Sequence, residues 1–228
     1  MTAKTRPVPL YRWTALGTAV VRMWRAWRVL IPVIIANAVI QSVLLLGQPR
    51  PYLTVPFVLL AVLSFLVLVL AFCAVASAVL QATTGPVEVA QVMARVRARA
   101  LPLVGWTLAW ALVVTLGFTL YVIPGVIVLA LTPFLLIAVV DGQRNPLLVN
   151  FRVIGERWGR WLVTVVIVGV LLGVVWLLTN VDGFFVGGAL GALIGWLVLG
   201  LITAWLTCGW ALIYRSSTSA PAEPSRGN

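Results

Sequence analysis

The sequence predicts an all-α integral membrane protein. It should have six transmembrane helices arranged as three hairpins, each preceded by a basic amphipathic interfacial helix, with both termini cytoplasmic. Three observations predict it. Of 228 residues, 62% are hydrophobic and 9% are charged, against about 45–50% and about 25% in soluble domains, so too little polar side chain is present to cover a soluble surface. The charges also leave six long apolar runs between them, and about 20 apolar residues cross a bilayer as a helix. Finally, sixteen Lys and Arg face five Asp and Glu, and the basic residues gather between alternate runs.

The elements follow in order. Residues 1–28 read as a cytoplasmic N-terminus with an interfacial helix, in which Arg22, Arg25 and Arg28 stand beside Trp24 and Trp27. Two spans, 29–47 and 53–82, follow, joined by a short outer connection. Pro86 and Glu88 then open a second basic helix whose Val89, Val92, Met93 and Val96 recur at helical spacing, with Arg95, Arg97 and Arg99 at its end. It leads into spans 101–123 and 126–140, with the outer turn placed at Ile123-Pro124-Gly125 because Pro-Gly is a strong turn dipeptide. Asn145 can cap the third basic helix, with Pro146 at the preferred first position. Leu147, Phe151, Ile154, Trp158 and Trp161 form its apolar stripe, and Arg152, Glu156 and Arg160 lie four apart on another face. Spans 162–179 and 184–214, with an outer turn at 180–183, complete the six-helix domain 29–214. The Ser-, Pro- and Ala-rich tail, 215–228, reads as a disordered cytoplasmic segment.

Fifteen basic residues fall on one side of this topology and Arg50 alone on the other, which sets the Arg-rich side in the cytoplasm. Arg22, Arg25, Arg28, Arg95, Arg97, Arg99, Arg152, Arg157 and Arg160 either anchor and orient the spans or contact anionic lipid headgroups, at about 1 kcal/mol of attraction each near the leaflet. This topology accounts for the basic balance, so no nucleic-acid partner is expected.

The apolar runs hold no ionisable residue, which argues against proton relays, voltage sensing and carboxylate-ring pores. Asn37 and Gln41 are the most polar intramembrane pair. Such residues hydrogen-bond between helices or line a polar cavity. Gly187, Gly191 and Gly195, with Gly169 and Gly173 in the preceding span, recur at intervals of four. They suit close packing of the fifth and sixth spans, or a face that receives a helix of another subunit. Cys73 and Cys208 lie inside spans and read as small packing residues. Histidine is absent, and no nucleotide motif, zinc-ligand spacing or nucleophile elbow occurs. No enzymatic activity, metal or cofactor is therefore expected.

Residues 120–161 combine the Ile123-Pro124-Gly125 segment, Asp141-Gly142, Asn145-Pro146-Leu147 and Arg157-Trp158-Gly159-Arg160-Trp161. This run resembles the six-helix membrane domain found beside bacterial glycerophosphodiester phosphodiesterases and its stand-alone relatives of the YciC type. The chain has Asn150 where that family often has Ser. The resemblance implies a membrane module and not a hydrolase, since a chain with no His and five scattered acids cannot rehouse that chemistry. Arginine outnumbers lysine fifteen to one, which suggests a GC-rich bacterial genome. The expected role is a non-enzymatic protein of the bacterial cytoplasmic (inner) membrane, an accessory or stabilising subunit of a larger envelope complex, with lipid transport machinery as one candidate host that no single residue demonstrates. The alternative is a small carrier or permeation path for lipid or another uncharged substrate, motivated by Pro124, Pro133 and the Asn37/Gln41 pair.

Overall fold

The structure, a computed structural model, describes residues 14–46, 54–120, 122–156, 158–185 and 188–218. Nine helices and no strand occur among the described residues: α1 (Thr14–Arg25), α2 (Trp27–Leu46), α3 (Val55–Thr84), α4 (Val89–Leu120), α5 (Val122–Leu131), α6 (Leu135–Asp141), α7 (Pro146–Glu156), α8 (Trp158–Phe185) and α9 (Gly188–Thr218). Among the described residues, five segments are long and apolar enough to cross a membrane: Trp27–Leu44, Val55–Thr84, Val89–Leu120, Ile123–Asp141 across the α5–α6 junction, and Gly188–Thr218. The fifth expected span, 162–179, lies in α8, of which the stretch Trp158–Val170 is apolar but shorter than a span. Outward faces of these helices carry Leu59, Leu112 and Val170 in the open, a surface suited to lipid and costly in water.

Four boundaries differ from expectation, each for a physical reason. Pro124-Gly125 is not a turn. It lies in the first turn of α5, where proline's missing N–H costs nothing because that donor would have no helical partner. Gly125 instead serves packing: a Cβ built on Gly117 of α4 would stand 2.9 Å from the Gly125 Cα. The junction between α4 and α5 falls at position 121, outside the described residues. Likewise, residues 180–183 continue α8 to Phe185 rather than turning. The second basic stretch is no separate interfacial helix either, because α4 runs unbroken for 32 residues through Pro102. At 1.5 Å per residue this is about 48 Å, longer than the roughly 30 Å hydrocarbon core, so the end bearing Arg95, Arg97 and Arg99 can project beyond it. Finally, α9 extends to Thr218 with Ser217 buried, so 215–218 are helical. The rest of the tail, 219–228, and the first connection, 47–53, lie outside the described residues.

Packing divides the molecule into two halves. α9 packs against α1, α2, α3, α7 and α8, and α3 against α1, α2, α4, α6 and α9. In the Arg-rich half every residue of α3 from Cys73 to Ala82 is buried. So are Ala26 between α1 and α2, Val29, Leu30 and Ile34 in the first half of α2, Phe134 to Val140 except Leu136, and Ala204, Cys208, Ala211 and Tyr214 of α9. Alanine recurs in this set because small side chains let several helices converge on α3. In the opposite half, Val55, Val58, Leu59, Val62 and Leu63 of α3 and Leu108, Leu112 and Leu116 of α4 are exposed. Gly117 and Gly191 are among the few residues buried there.

Candidate functional site

The best-defined polar construction surrounds the break between α5 and α6. Thr132-Pro133-Phe134 interrupts the helix because Pro133 lacks an N–H and its ring clashes with the preceding turn. The interruption strands backbone groups in an apolar interior, where each unpaired group costs about 1–3 kcal/mol. Side chains of α7 and α8 meet them, and one from α4 reaches Thr132 beside the break. The Asn150 amide of α7 donates from Nδ2 to the Leu131 carbonyl at 2.7 Å and accepts the Phe134 N–H at Oδ1 at 3.0 Å. Trp161 of α8 donates its indole N–H to the Ala130 carbonyl at 2.6 Å. Thr132 donates to the Val128 carbonyl at 2.6 Å while accepting the Trp110 indole N–H of α4 at 2.7 Å. Asn150 and Phe134 are fully buried. A broken membrane helix is tolerated where neighbours re-satisfy its backbone in this way.

Position α7 follows from its cap. Asn145 Oδ1 accepts the Leu148 N–H at 3.4 Å, with Pro146 first in the helix, as the sequence suggests. Val149, Asn150 and Val153 then face inward, while Leu147, Phe151 and Trp158 are exposed. The stripe expected from sequence therefore divides: Leu147, Phe151 and Trp158 face outward, while Ile154 and Trp161 pack against the core, with the Trp158 and Trp161 rings 6.2 Å apart. The apolar residues of the second basic stretch divide too: Val92 is buried, whereas Val89 and Met93 are exposed.

A second cluster closes the Arg-rich end. α6 terminates in Gly142 at φ 85°, whose N–H returns to the Ala138 and Val139 carbonyls, a left-handed helix stop that glycine adopts without strain. Asp141, just before it, holds three partners. Its Oδ1 accepts from Arg215 at 2.9 Å, and its Oδ2 accepts from the Tyr214 hydroxyl at 2.9 Å and from Gln143 at 3.1 Å. The Asp141 side chain is 10% exposed and that of Arg215 28%. The Arg99 guanidinium lies directly against Gly142. Both carboxylate oxygens are occupied, so the group ties the end of α6 to the end of α9.

The candidate residues named from sequence separate into distinct settings. Arg22 donates to the Ala82 carbonyl in the last turn of α3, where cations are favoured by the helix dipole. Arg25, Arg28, Arg97 and Arg152 are exposed, and Arg160 is half-buried. Arg28 lies 5.9 Å from the Trp27 ring centroid, and Trp24, 72% exposed, stacks on Trp27 at 6.4 Å. Arg95 is half-buried, with one guanidinium nitrogen enclosed and without a hydrogen-bond partner. Arg157 and Gly187 lie outside the described residues. Gly191 is buried, but at Gly169, Gly173 and Gly195 a Cβ would meet no atom of the described residues within 4 Å. The glycine that brings α9 close to α2 is Gly200, where a Cβ would stand 2.7 Å from Ile34 Cγ2. Cys73 and Cys208 are buried and unbonded to each other. No three of His, Cys, Asp and Glu come together among the described residues.

The polar pair of α2 also divides. Gln41 is bound to α3: its Nε2 donates to the Ser64 carbonyl at 3.1 Å, and Ser64 Oγ donates to Gln41 Oε1 at 2.7 Å. Asn37, one turn earlier and 9% exposed, has an Oδ1 that is buried without a hydrogen-bond partner. It lines a cavity of about 300 Å³ between α2, α3, α4, α6 and α9, walled by Phe65, Phe72, Thr107, Trp196 and Thr203 among others. Among the described residues, no charged one lines it.

Sequence reasoning missed Asn150, Trp161 and the Asp141–Tyr214–Arg215 cluster as functional groupings. Pro133 carries a signal for the first, since a proline inside a span implies donors on a neighbouring helix. No family model matches the chain, and no curated protein or solved structure matches it.

Proposed function

We propose that the chain is a non-enzymatic, six-span protein of the bacterial cytoplasmic membrane that serves as an accessory subunit of a larger envelope complex. α8 supplies the sixth span in this reading, its 28 residues corresponding to about 42 Å of helix. The Arg-rich ends of α1, α4, α7 and α9 lie in the cytoplasm by the positive-inside rule, which makes three hairpins with both termini inside. Exposed Arg25, Arg28, Arg97 and Arg152 are then placed to meet anionic headgroups. The resemblance of residues 120–161 to the stand-alone membrane module supports a role without hydrolysis.

The single observation that carries the accessory role is the open small-residue edge of α8 and α9. Gly169, Gly173 and Gly195 leave room for a Cβ with nothing within 4 Å, although small residues at this spacing ordinarily allow helices to pack closely. A partner's helix fits such an edge. Affinity purification from native membranes in mild detergent should recover other membrane subunits in stoichiometric amount. Gly173→Leu and Gly195→Leu should release them while the chain stays monodisperse and helical. Recovery of the chain alone, unchanged by either substitution, would sink the reading. A carrier for an uncharged substrate is the competing reading, favoured by the Asn37 cavity, and labelled lipid moving across reconstituted vesicles would establish it.

A further inference from the structure

The cavity beside Asn37 carries an inference of its own. Its size, about 300 Å³, is at the lower end of the range for ligand pockets. Asn37 is the eleventh residue of the twenty in α2, so it lies near the middle of a span, about 15 Å from either helix end. Lipid chains rather than water surround that depth. The wall is Val, Ile, Leu, Phe and Trp, relieved by Asn37, Thr107 and Thr203. Thr203 and Thr107 are half-buried, and the Asn37 amide oxygen is enclosed without a donor. An unmet acceptor at this depth is costly, because no solvent competes to satisfy it.

These facts constrain what fills the space. An ionic headgroup is excluded by a wall without countercharge at the centre of a span. A plain acyl chain fills the volume but offers no donor. The last side-chain torsion of Asn37 is broad and roughly two-fold, so either end of its carboxamide can be presented to the cavity that the residue lines. We infer that the cavity between α2, α3 and α9 binds a single-chain, uncharged lipid carrying a hydroxyl, with that hydroxyl donating to Asn37 and its chain against Phe65, Phe72 and Trp196. Gly200 sets the floor, where α9 approaches Ile34 of α2. The inference rests on the chain spanning the membrane and is independent of any partner subunit.

The test uses the full chain in detergent micelles and measures retention of radiolabelled hexadecanol, of its methyl ether, and of 1-oleoylglycerol. The wild-type protein should retain hexadecanol about fivefold more tightly than the ether, the ratio given by one net hydrogen bond. Asn37→Leu should level the two, while Ala71→Phe, which fills the cavity, should abolish retention of both. Tighter binding of 1-oleoylglycerol than of hexadecanol assigns the hydroxyl to an acylglycerol, and the reverse order assigns it to a free long-chain alcohol. Equal retention of alcohol and ether by the wild-type protein overturns the inference, and needs no variant to fold. So does an alcohol preference that survives Asn37→Leu. Helix content and elution volume monitor folding in each variant. Loss of partner subunits in the purification described above would leave this result untouched, so the two readings fail separately.

Discussion

The two halves of the molecule are held by different physics. In the Arg-rich half, α3 is buried on every side from Cys73 to Ala82, and side chains tie the helix ends to one another. Arg22 binds the end of α3, Asp141 joins α6 to α9, and Asn150 spans the α5–α6 break. In the opposite half large aliphatic residues of the same helices face outward, and Gln41–Ser64 supplies a polar tie between α2 and α3. The difference teaches how a nearly uniform apolar sequence specifies a fold. Apolar side chains gain little by moving from lipid to protein, so packing there depends on small residues and on hydrogen bonds. The Arg-rich half has alanines and cross-links in quantity. The opposite half has the Gln41–Ser64 tie and a glycine contact between α4 and α5, and its outward faces meet the bilayer. The cavity lies where one regime gives way to the other.

The largest effect should come from the tie across the broken helix. Asn150→Leu removes a donor and an acceptor together, leaving the Leu131 carbonyl and the Phe134 N–H unpaired in a buried site. At about 1–3 kcal/mol for each of the two orphaned groups, the loss should be about 2–6 kcal/mol, read as a lower unfolding midpoint in detergent. Leu112→Ala, on the exposed face of α4, should change that midpoint hardly at all. Equal effects at the two sites would erase the contrast between the halves.

Gly117→Ala tests the opposite half at its tightest point. The new methyl would meet the Gly125 backbone at 2.9 Å, and backbone cannot swing aside as a side chain can. Forcing α4 from α5 should cost about 1–3 kcal/mol. Gly195→Ala, on α9 in the same half, meets nothing and should be neutral. Together they separate glycines that carry packing from glycines that leave a face open.

Asp141 comes next. Its pair with Arg215 is partly exposed, so its strength should lie between that of a surface pair and a buried one. A double-mutant cycle of Asp141→Asn and Arg215→Gln, followed by thermal unfolding at low salt, should give a coupling of about 1–2 kcal/mol. High salt should leave most of it, because groups this enclosed are poorly screened. A coupling near zero would reduce the cluster to an incidental contact.

Much of this architecture is legible in the sequence, and the exceptions share a cause. Apolar runs, basic flanks and the Asn145 cap are local signals, and they mark the all-helical class and most of the helices. Pro-Gly at 124–125 misleads because the same dipeptide that closes a turn also opens a helix, and only the approach of Gly117 decides between them. The unbroken α4 is illegible for a similar reason, since charge density marks where a membrane ends and not where a helix ends. Site residues fare differently. Asn37 and Gln41 stand out as polar residues in an apolar run, yet their fates diverge through Ser64 on another helix. Asn150 and Asp141 act on groups 16 and 74 residues away, a separation no local pattern encodes.

The smallest effect is the most informative about the membrane itself. Gln41 and Ser64 exchange two hydrogen bonds between α2 and α3, and in water such a buried pair would be worth up to a few kcal/mol. In a bilayer the separated helices find other partners for the same groups, so interhelical hydrogen bonds average only about 0.6 kcal/mol. A double-mutant cycle of Gln41→Leu and Ser64→Ala in lipid nanodiscs should give a coupling of that size. A coupling above about 2 kcal/mol would mean that this tie, rather than lipid contact, holds the opposite half together. The two halves would then differ in the number of their cross-links and not in the kind of force that shapes them.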